Sequence, residues 1–387
     1  MNRWAWLLAC FLTSVPAGAA AWNELPPGPT GFRDAGFEAI RGVTVGPIES
    51  SQQAGRGYGT VYSGRLLDEL ARMGVNWISI TPFGRIWSLD STEISMDFEA
   101  PYESNRDAIR TMVAQARARG IRVMLIPHLW VETGGWRGEI DPGNEDAWRT
   151  YRSAYADFVL RWAVDAERAG VDAFSIGVEC KSWSGRFGSF WDQLIAQVRS
   201  VYRGLLTYSA NWDEVDSVLF WDRLDLIGVN AFYPLAGTSG ASYSTYVEGA
   251  RAVVGPLAEL AETLSMPVLF VEVGYTSRPD AAVEPWLWPE DLPHVVVDEH
   301  EQTRALQAIF EAFVPEEWFS GFFIWRYYAN LDDVSQEAIW GFSPHAKSAE
   351  PFLDEVFDVR FGGDPEPWPW VTRQPALYRP PFRAPYL

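Results

Sequence analysis

Hydrophobic and polar positions follow two alternating patterns along most of the chain. Short apolar runs of roughly four to eight residues, rich in β-branched and aromatic side chains, are typical of buried strands. Between them lie longer segments in which apolar residues recur every three or four positions, which is the pattern of amphipathic helices. Strands that alternate with helices in this way favour a parallel sheet built from βα units.

Eight strand segments are predicted, at residues 39–46, 75–81, 121–127, 171–180, 205–210, 224–230, 266–275 and 321–326. Helices are predicted at residues 61–73, 102–119, 145–167, 190–202, 246–264, 303–313 and 348–356. A long insertion at residues 276–298 carries Trp286 and Trp288. Eight strands in roughly 320 residues fit one α/β domain, a single (β/α)8 TIM barrel with loop insertions over residues 38–358.

The two ends of the chain have a different composition from this region. Residues 1–21 have the form of a secretory signal peptide, with Arg3, a short apolar stretch and small residues at 17–21. The segment that ends at Cys10 also resembles a lipoprotein cleavage box, which is an alternative for the same region. Residues 22–37 form a Pro- and Gly-rich arm, and residues 359–387 a Pro-rich tail. We expect a secreted or periplasmic protein without a membrane span in its mature form.

The composition narrows the class of partner. The formal net charge of −20 argues against nucleic acid and anionic membranes, because both require basic patches. Aromatic residues make up 15% of the chain and include 20 Trp. A Trp is rarely buried completely, so we expect several to line a cleft, with ordinary packing as the alternative. We expect a monomer that acts on a neutral polymer such as a polysaccharide.

Several chemistries are excluded by residue content. The chain has 2 Cys and 4 His, and it contains neither a His-Glu-x-x-His motif nor closely spaced Cys ligands, so we expect no bound metal or other cofactor. Only Cys180 remains after removal of the signal peptide, so no internal disulfide is expected. No Gly-x-Ser-x-Gly motif frames Ser175 or Ser182, which argues against a serine hydrolase.

Two of the predicted strands end in a carboxylate, Glu179 on the fourth and Glu272 on the seventh. The carboxyl ends of the strands form the catalytic face of a (β/α)8 barrel. A period of two places Glu179 on one face with Gly177, and Glu272 on one face with Phe270. Two carboxyl groups are what glycoside hydrolysis requires, one to protonate the leaving oxygen and one to attack the sugar or activate water. The alternatives are a surface glutamate at 179 and a structural ion pair at 272.

Other polar and aromatic residues are predicted at the same barrel face. His128 ends the third strand, and Asn211 and Asn230 end the fifth and sixth, where all three suit recognition of sugar hydroxyls. Tyr233 is predicted to orient Glu272 by a hydrogen bond, and Trp325 to form a floor for a sugar ring. Structural or packing roles are the alternatives for His128, Tyr233 and Trp325. Further candidates for the cleft are Arg85, Trp87, Trp130, Trp136 and Trp212.

Four short motifs resemble glycoside hydrolase family 113. They are Ser-Ile-Gly-Val-Glu179, Phe-Val-Glu-Val-Gly-Tyr275, Asn-Ala-Phe-Tyr-Pro234, and Gly-Phe-Phe-Ile-Trp325 with Gly-Phe-Ser-Pro344. The resemblance implies a retaining (β/α)8 hydrolase with its catalytic glutamates on strands four and seven, so that Glu179 is the acid/base and Glu272 the nucleophile. It also implies a substrate contact at Tyr275, and known family members cleave β-1,4-mannan.

One position departs from the related families of the same clan. Many of them have Asn before the acid/base, whereas Val178 precedes Glu179 here. We therefore expect the sugar 2-hydroxyl to be contacted from another strand, by Asn211. The sequence leaves two alternatives to an endo-β-1,4-mannanase: the same chemistry on a β-glucan or another cell-surface glycan, and a non-catalytic glycan-binding barrel.

Overall fold

The computed structural model describes residues 39–46, 55–98, 100–288, 292, 295–333 and 337–357. The predicted signal peptide, the N-terminal arm and the C-terminal tail lie outside these residues, as does Cys10. Strands β1 to β10 are, in order, Ile40–Gly46, Trp77–Ile80, Phe83–Ile86, Arg122–Leu125, His128–Val131, Ala173–Val178, Leu205–Asn211, Ile227–Asn230, Val268–Val273 and Phe319–Tyr328. Helices α1 to α8 are Val61–Arg72, Tyr102–Arg117, Glu145–Ala169, Lys181–Ser184, Gly188–Val201, Tyr243–Leu264, Glu299–Phe313 and Ala349–Phe357.

Eight of these strands close into a parallel barrel in the order β1-β10-β9-β8-β7-β6-β4-β2. This confirms the predicted (β/α)8 barrel, and each barrel strand overlaps one of the eight predicted segments. Strands β3 and β5 form a separate parallel pair, in which Phe83 is opposite His128. This pair was not predicted, because the sequence offers only short apolar runs directly after the second and third barrel strands.

Two layers of apolar side chains build the core. The barrel interior is filled by Trp77, Met124, Val271 and Phe323, among others. A larger layer packs between the strands and the helices, as shown by Phe270 of β9, whose ring centroid lies 4.7 Å from that of Phe313 of α7. Filling the interior with side chains leaves the functional groups to the mouth of the barrel.

Capping interactions fix the ends of the helices that carry the chain from this mouth back to the opposite end of the barrel. Helix α3 begins where the Asn144 side chain accepts a hydrogen bond from the Ala147 amide, and it ends at Gly170, which has a φ of 76°. The Ser242 side chain accepts the Thr245 amide at the start of α6 in the same way. Such caps supply the partners that the first and last helical turns lack.

No helix in the described part of the chain is both long and apolar enough to cross a lipid bilayer.

Candidate active site

Glu179 and Glu272 both reach the carboxyl-terminal mouth of the barrel. Glu179 follows β6 and is 6% exposed, and Glu272 lies on β9 and is 4% exposed. The side chain of Asn230, at the end of β8, donates a hydrogen bond of 2.9 Å to Glu179, and Asn230 is opposite Glu272 in the strand pairing. Glu272 therefore lies on β9, the neighbour of β8, and Glu179 follows β6, which is separated from β8 by β7. The end of β8 is in contact with both residues through Asn230.

Neither glutamate reaches the mouth by the simple alternation predicted from the sequence. A side chain at Gly177 would meet the hydroxyl of Tyr155 on α3, so this position faces the helices. Phe270 also packs against the helices. The prediction that Glu179 shares a face with Gly177, and Glu272 with Phe270, is therefore wrong.

Backbone irregularities redirect both side chains. The pairing of β6 with β7 shifts between Ser175 and Val178, and Glu179 has a φ of 50°. The pairing of β8 with β9 shifts immediately before Glu272. A strand irregularity of this kind bends the chain and re-aims a side chain, and such features are common beside active sites.

Three donors surround the Glu179 carboxylate. Its Oε2 accepts hydrogen bonds from Trp136 Nε1 at 2.8 Å and from an Arg137 guanidinium nitrogen at 2.6 Å, and its Oε1 accepts from Asn230 Nδ2 at 2.9 Å. All three partners are donors only at these atoms, so this is the arrangement of an ionised carboxylate.

Glu272 has a different kind of partner. His128 Nδ1 lies 2.8 Å from the carbonyl oxygen of Ile126, and its Nε2 lies 3.0 Å from Glu272 Oε1. A carbonyl oxygen only accepts, so Nδ1 carries a hydrogen. The contact between Nε2 and Glu272 then requires one further proton, held either by the imidazole or by the carboxyl. Burial raises the pKa of Glu272, the hydrogen bond from His128 opposes this shift, and the charge of Glu179 adds to it.

An aromatic wall lines one side of the mouth. The Trp325 ring stacks on His128 with centroids 6.2 Å apart and packs with Phe342. Trp288, from the predicted insertion, contacts Phe342 and then Trp130 at 6.4 Å. Trp130 is 40% exposed. Flat apolar rings of this kind suit the apolar faces of sugars.

The wall continues to a shallow cavity beyond β3 and β5. The guanidinium of Arg85 lies 5.4 Å from the Trp130 ring centroid and 3.1 Å from Glu132. The cavity beside it has a volume of about 400 Å³, and Trp87, which is 68% exposed, is part of its lining. Trp87 and Trp130 are therefore both accessible to a ligand, as their predicted contacts require.

Three residues that were predicted to contact the substrate or Glu272 have other partners in the structure. Tyr275 is fully buried and donates its hydroxyl hydrogen bond to the main-chain oxygen of Tyr233, which contradicts a contact with substrate. The Tyr233 ring packs against Phe270 and Trp212, and the side-chain partner that the structure describes for Glu272 is His128. The Asn211 side chain donates to Asp213 at 2.6 Å, at the rim of the mouth.

Sequence reasoning missed three residues of this site. Arg137 was not predicted, because a cation in a loop after β5 carries no periodic signal. Tyr208 and Glu214 were also missed: the Cys180 amide donates to the Tyr208 hydroxyl at 2.6 Å, and this hydroxyl donates to Glu214. The signal available for Glu214 was a carboxylate four residues after a predicted strand end. Within the described ranges, no three His, Cys, Asp or Glu side chains lie close enough together to hold a metal ion.

Comparison with known proteins bears directly on this arrangement. The model of Glycoside Hydrolase Family 113 matches residues 51–342. This chain belongs to glycoside hydrolase family 113. The matched range contains both glutamates, their donors and the aromatic wall, and the family 113 chain is thus a glycoside hydrolase.

Solved structures agree with this membership. The GH113 β-mannanase AaManA from Alicyclobacillus acidocaldarius, in complex with ManMIm, is 28% identical to this family 113 chain, covers 83% of it with 98% of its own length, and has a TM-score of 0.71. A further GH113 β-1,4-mannanase is 24% identical, with 84% and 100% covered and a TM-score of 0.70. A family 5 mannosidase from Rhizomucor miehei, 12% identical with 82% and 92% covered, shares the fold at a TM-score of 0.59. No curated protein sequence matches.

Proposed function

We propose that this family 113 member is an exported endo-β-1,4-mannanase that hydrolyses its substrate with retention of configuration. The observation that carries the proposal is the pair of buried carboxyl groups at the mouth, Glu179 after β6 and Glu272 on β9, both in contact with Asn230 at the end of β8. Support for the substrate comes from the name of AaManA, a β-mannanase of the same family. The aromatic wall around Trp325 supplies surfaces for sugar rings.

In the proposed mechanism, Glu272 attacks the anomeric carbon while Glu179 gives a proton to the leaving oxygen. The bond from the sugar to the leaving oxygen breaks, and an ester bond forms between the sugar and Glu272. Glu179, now ionised, takes a proton from water, and the water oxygen displaces Glu272 from the sugar. His128 assists the first step because its hydrogen bond lowers the pKa of Glu272 and so favours the ionised carboxylate that attacks.

The substrate-free geometry adds one requirement to the first step. Glu179 must carry a proton, yet its Oε2 accepts from both Trp136 and Arg137. These two donors are consecutive residues in one loop after β5, so a single movement of this loop on sugar binding frees Oε2 for a proton. Catalytic hydrogen bonds commonly rearrange in this way between the free enzyme and its complex.

The contacts also favour one alternative, in which the two glutamates exchange roles. Glu179 has the three donors that suit a permanently ionised nucleophile, and burial raises the pKa of Glu272, as a general acid requires. The variants Glu179→Ala and Glu272→Ala distinguish the two assignments in the presence of azide. The acid/base variant retains activity on aryl glycosides with good leaving groups and yields a glycosyl azide of retained configuration, whereas the nucleophile variant yields the inverted azide.

The substrate is tested with a panel of soluble β-glycans that includes mannan and several β-glucans. Release of β-anomeric mannan oligosaccharides, followed by NMR in the first minutes, is the expected result. Hydrolysis of a β-glucan alone rejects mannan as the substrate. Binding of a glycan without any hydrolysis by the wild-type protein favours the non-catalytic barrel.

Export and oligomeric state are separate parts of the proposal. We expect the mature protein to begin after residue 21, in agreement with the predicted signal peptide, and to be a monomer. Mass spectrometry of the protein recovered from the medium or periplasm measures the start of the mature chain. A lipid-modified Cys10 at the start contradicts the signal peptide assignment, and light scattering at two concentrations measures the oligomeric state.

A further inference from the structure

A buried chain of hydrogen bonds runs behind Glu179, away from the mouth. The main-chain amide of Cys180 donates to the hydroxyl of Tyr208 at 2.6 Å. The Tyr208 hydroxyl in turn donates to Oε1 of Glu214. Tyr208 is fully buried and Glu214 is 2% exposed. None of these groups faces the cleft, and the reaction described above does not use them.

The direction of this chain follows from its first member. The amide of Cys180 can only donate, so the Tyr208 oxygen accepts there and passes its own hydrogen on to Glu214. Oε2 of Glu214 has no hydrogen-bond partner within the described part of the chain. Burial, together with the charge of Glu179, raises the pKa of Glu214 to about 8, although the hydrogen bond from Tyr208 opposes this shift. Glu214 is therefore neutral near neutral pH. The polar groups that face it are Tyr208 of β7, Glu179 and Cys180 after β6, Ser184 of α4 and Tyr155 of α3.

Glu179 needs such support because its backbone is unfavourable for a residue with a side chain. Its φ is 50°, a left-handed conformation that costs roughly 1–2 kcal/mol for an L-residue other than glycine. The amides on either side of this conformation are both held by β7. The Glu179 amide donates to the Ser209 carbonyl at 2.8 Å, and the Cys180 amide donates to Tyr208.

We propose that Tyr208 and Glu214 are positioning residues for Glu179. Tyr208 fixes the amide of Cys180, Glu214 fixes the rotation of the Tyr208 hydroxyl, and together they hold Glu179 aimed into the mouth. The inference rests on the proposed role of Glu179 as acid/base. Positioning matters for catalysis because a proton donor that is displaced by even a fraction of an ångström transfers its proton less efficiently.

A purely structural role for Tyr208 is the competing explanation. Its ring packs against Trp191 at 5.9 Å and Phe220 at 5.3 Å, and this packing alone could explain its burial. Tyr208→Phe separates the two explanations, because it keeps the ring and removes only the hydroxyl. The variant leaves the amide of Cys180 unpaired, which costs roughly 1–3 kcal/mol, so its folding is checked first by urea unfolding.

The decisive measurement compares kcat/KM for two aryl glycosides that differ only in the leaving group. A dinitrophenolate leaves without protonation, whereas an ordinary phenolate or a sugar needs a proton from the acid. We expect Tyr208→Phe to lower kcat/KM about tenfold or more for the poor leaving group, within the range that general acid catalysis supplies. For the dinitrophenyl glycoside we expect a change of less than about twofold. Glu214→Gln, made in the protein that keeps Tyr208, preserves an acceptor for the Tyr208 hydroxyl, so we expect it to lose much less activity on the poor leaving group than Tyr208→Phe does.

An equal loss on both glycosides, or no loss on either, overturns the inference. Glu179→Ala on the same two substrates tests the underlying assignment. If Glu179→Ala shows no dependence on the leaving group, the proposed acid/base is wrong. If Glu179→Ala shows it and Tyr208→Phe does not, only the positioning role is wrong. Should Tyr208→Phe fail to fold, Glu214→Leu, which removes the acceptor of the hydroxyl, is measured in the same way and judged by the same outcomes.

Discussion

Replacing Glu214 by Gln is expected to remove a large pH dependence from the stability of the protein. Burial raises the pKa of this carboxyl from 4.5 to about 8 in the folded protein. Between these two pH values the unfolded chain has lost a proton that the folded protein keeps. Unfolding therefore releases a proton, and the free energy of unfolding falls as the pH rises through this window. Gln does not titrate, so the variant lacks this contribution.

The size of the effect follows from the width of the window. Each pH unit well inside it lowers the free energy of unfolding by about 1.4 kcal/mol. At about pH 5 the unfolded carboxyl is already partly ionised, and at about pH 8 the folded carboxyl begins to ionise. When this partial ionisation at both pH values is included, the contribution of Glu214 to the free energy of unfolding changes by about 3.5 kcal/mol between them. This exceeds the effect of most surface substitutions several times over.

Urea unfolding of both proteins between about pH 5 and pH 8, at constant ionic strength, measures the difference. The stability of Glu214→Gln relative to the wild type should increase by about 3.5 kcal/mol over this range. Glu259→Gln is the matched control: its carboxyl is exposed on α6, and its difference from the wild type should remain constant. A difference for Glu214→Gln that stays constant, or shrinks as the pH rises, refutes the reasoning.

Three further predictions concern the site and its support. His128 lowers the pKa of Glu272, so in His128→Ala the acidic limb of the pH profile of kcat/KM should move to higher pH. An unchanged acidic limb contradicts this effect of His128 on Glu272. Trp87→Ala should raise KM about threefold to tenfold more for a long glycan than for a short aryl glycoside. Equal changes in KM for the two substrates would show that Trp87 does not contact the sugar. A methyl group at position 177 would lie 2.6 Å from the Tyr155 hydroxyl, so Gly177→Ala should lose about 1–3 kcal/mol in urea unfolding. Gly237→Ala, which meets nothing within 4 Å, should be neutral.

The order and number of barrel strands could be predicted because a parallel barrel strand is buried on both faces. Its sequence is then a nearly continuous apolar run, as in Val268–Val273. Such runs are clear even in a single sequence. The pair β3 and β5 has weaker runs of four residues each, with partial exposure at Phe83 and Trp130, and this pair was missed.

The candidate site was predicted in part. Glu179, Glu272, His128, Asn230 and Trp325 come together because each lies near the carboxyl end of a barrel strand, and these strand ends converge by topology alone. The residues that were missed or misplaced depend on chain geometry that has no sequence period. Arg137 reaches the mouth from a loop, and Tyr275 turns away into the core just after β9. No pattern of apolar and polar residues specifies either path.

The failure of simple alternation at both glutamates has a common physical reason. Val178 and Val271 belong to the packed barrel interior, and each is followed directly by a glutamate that also points into the mouth. Regular strands send consecutive side chains to opposite faces, so two consecutive inward side chains require an irregular backbone. At Glu179 this irregularity is a left-handed residue, whose cost of roughly 1–2 kcal/mol is comparable to that of one unpaired buried amide. The hydrogen bond from the Cys180 amide to the Tyr208 hydroxyl is thus strong enough to decide whether Glu179 keeps this conformation. For this reason we expect one oxygen atom outside the cleft to affect proton transfer within it.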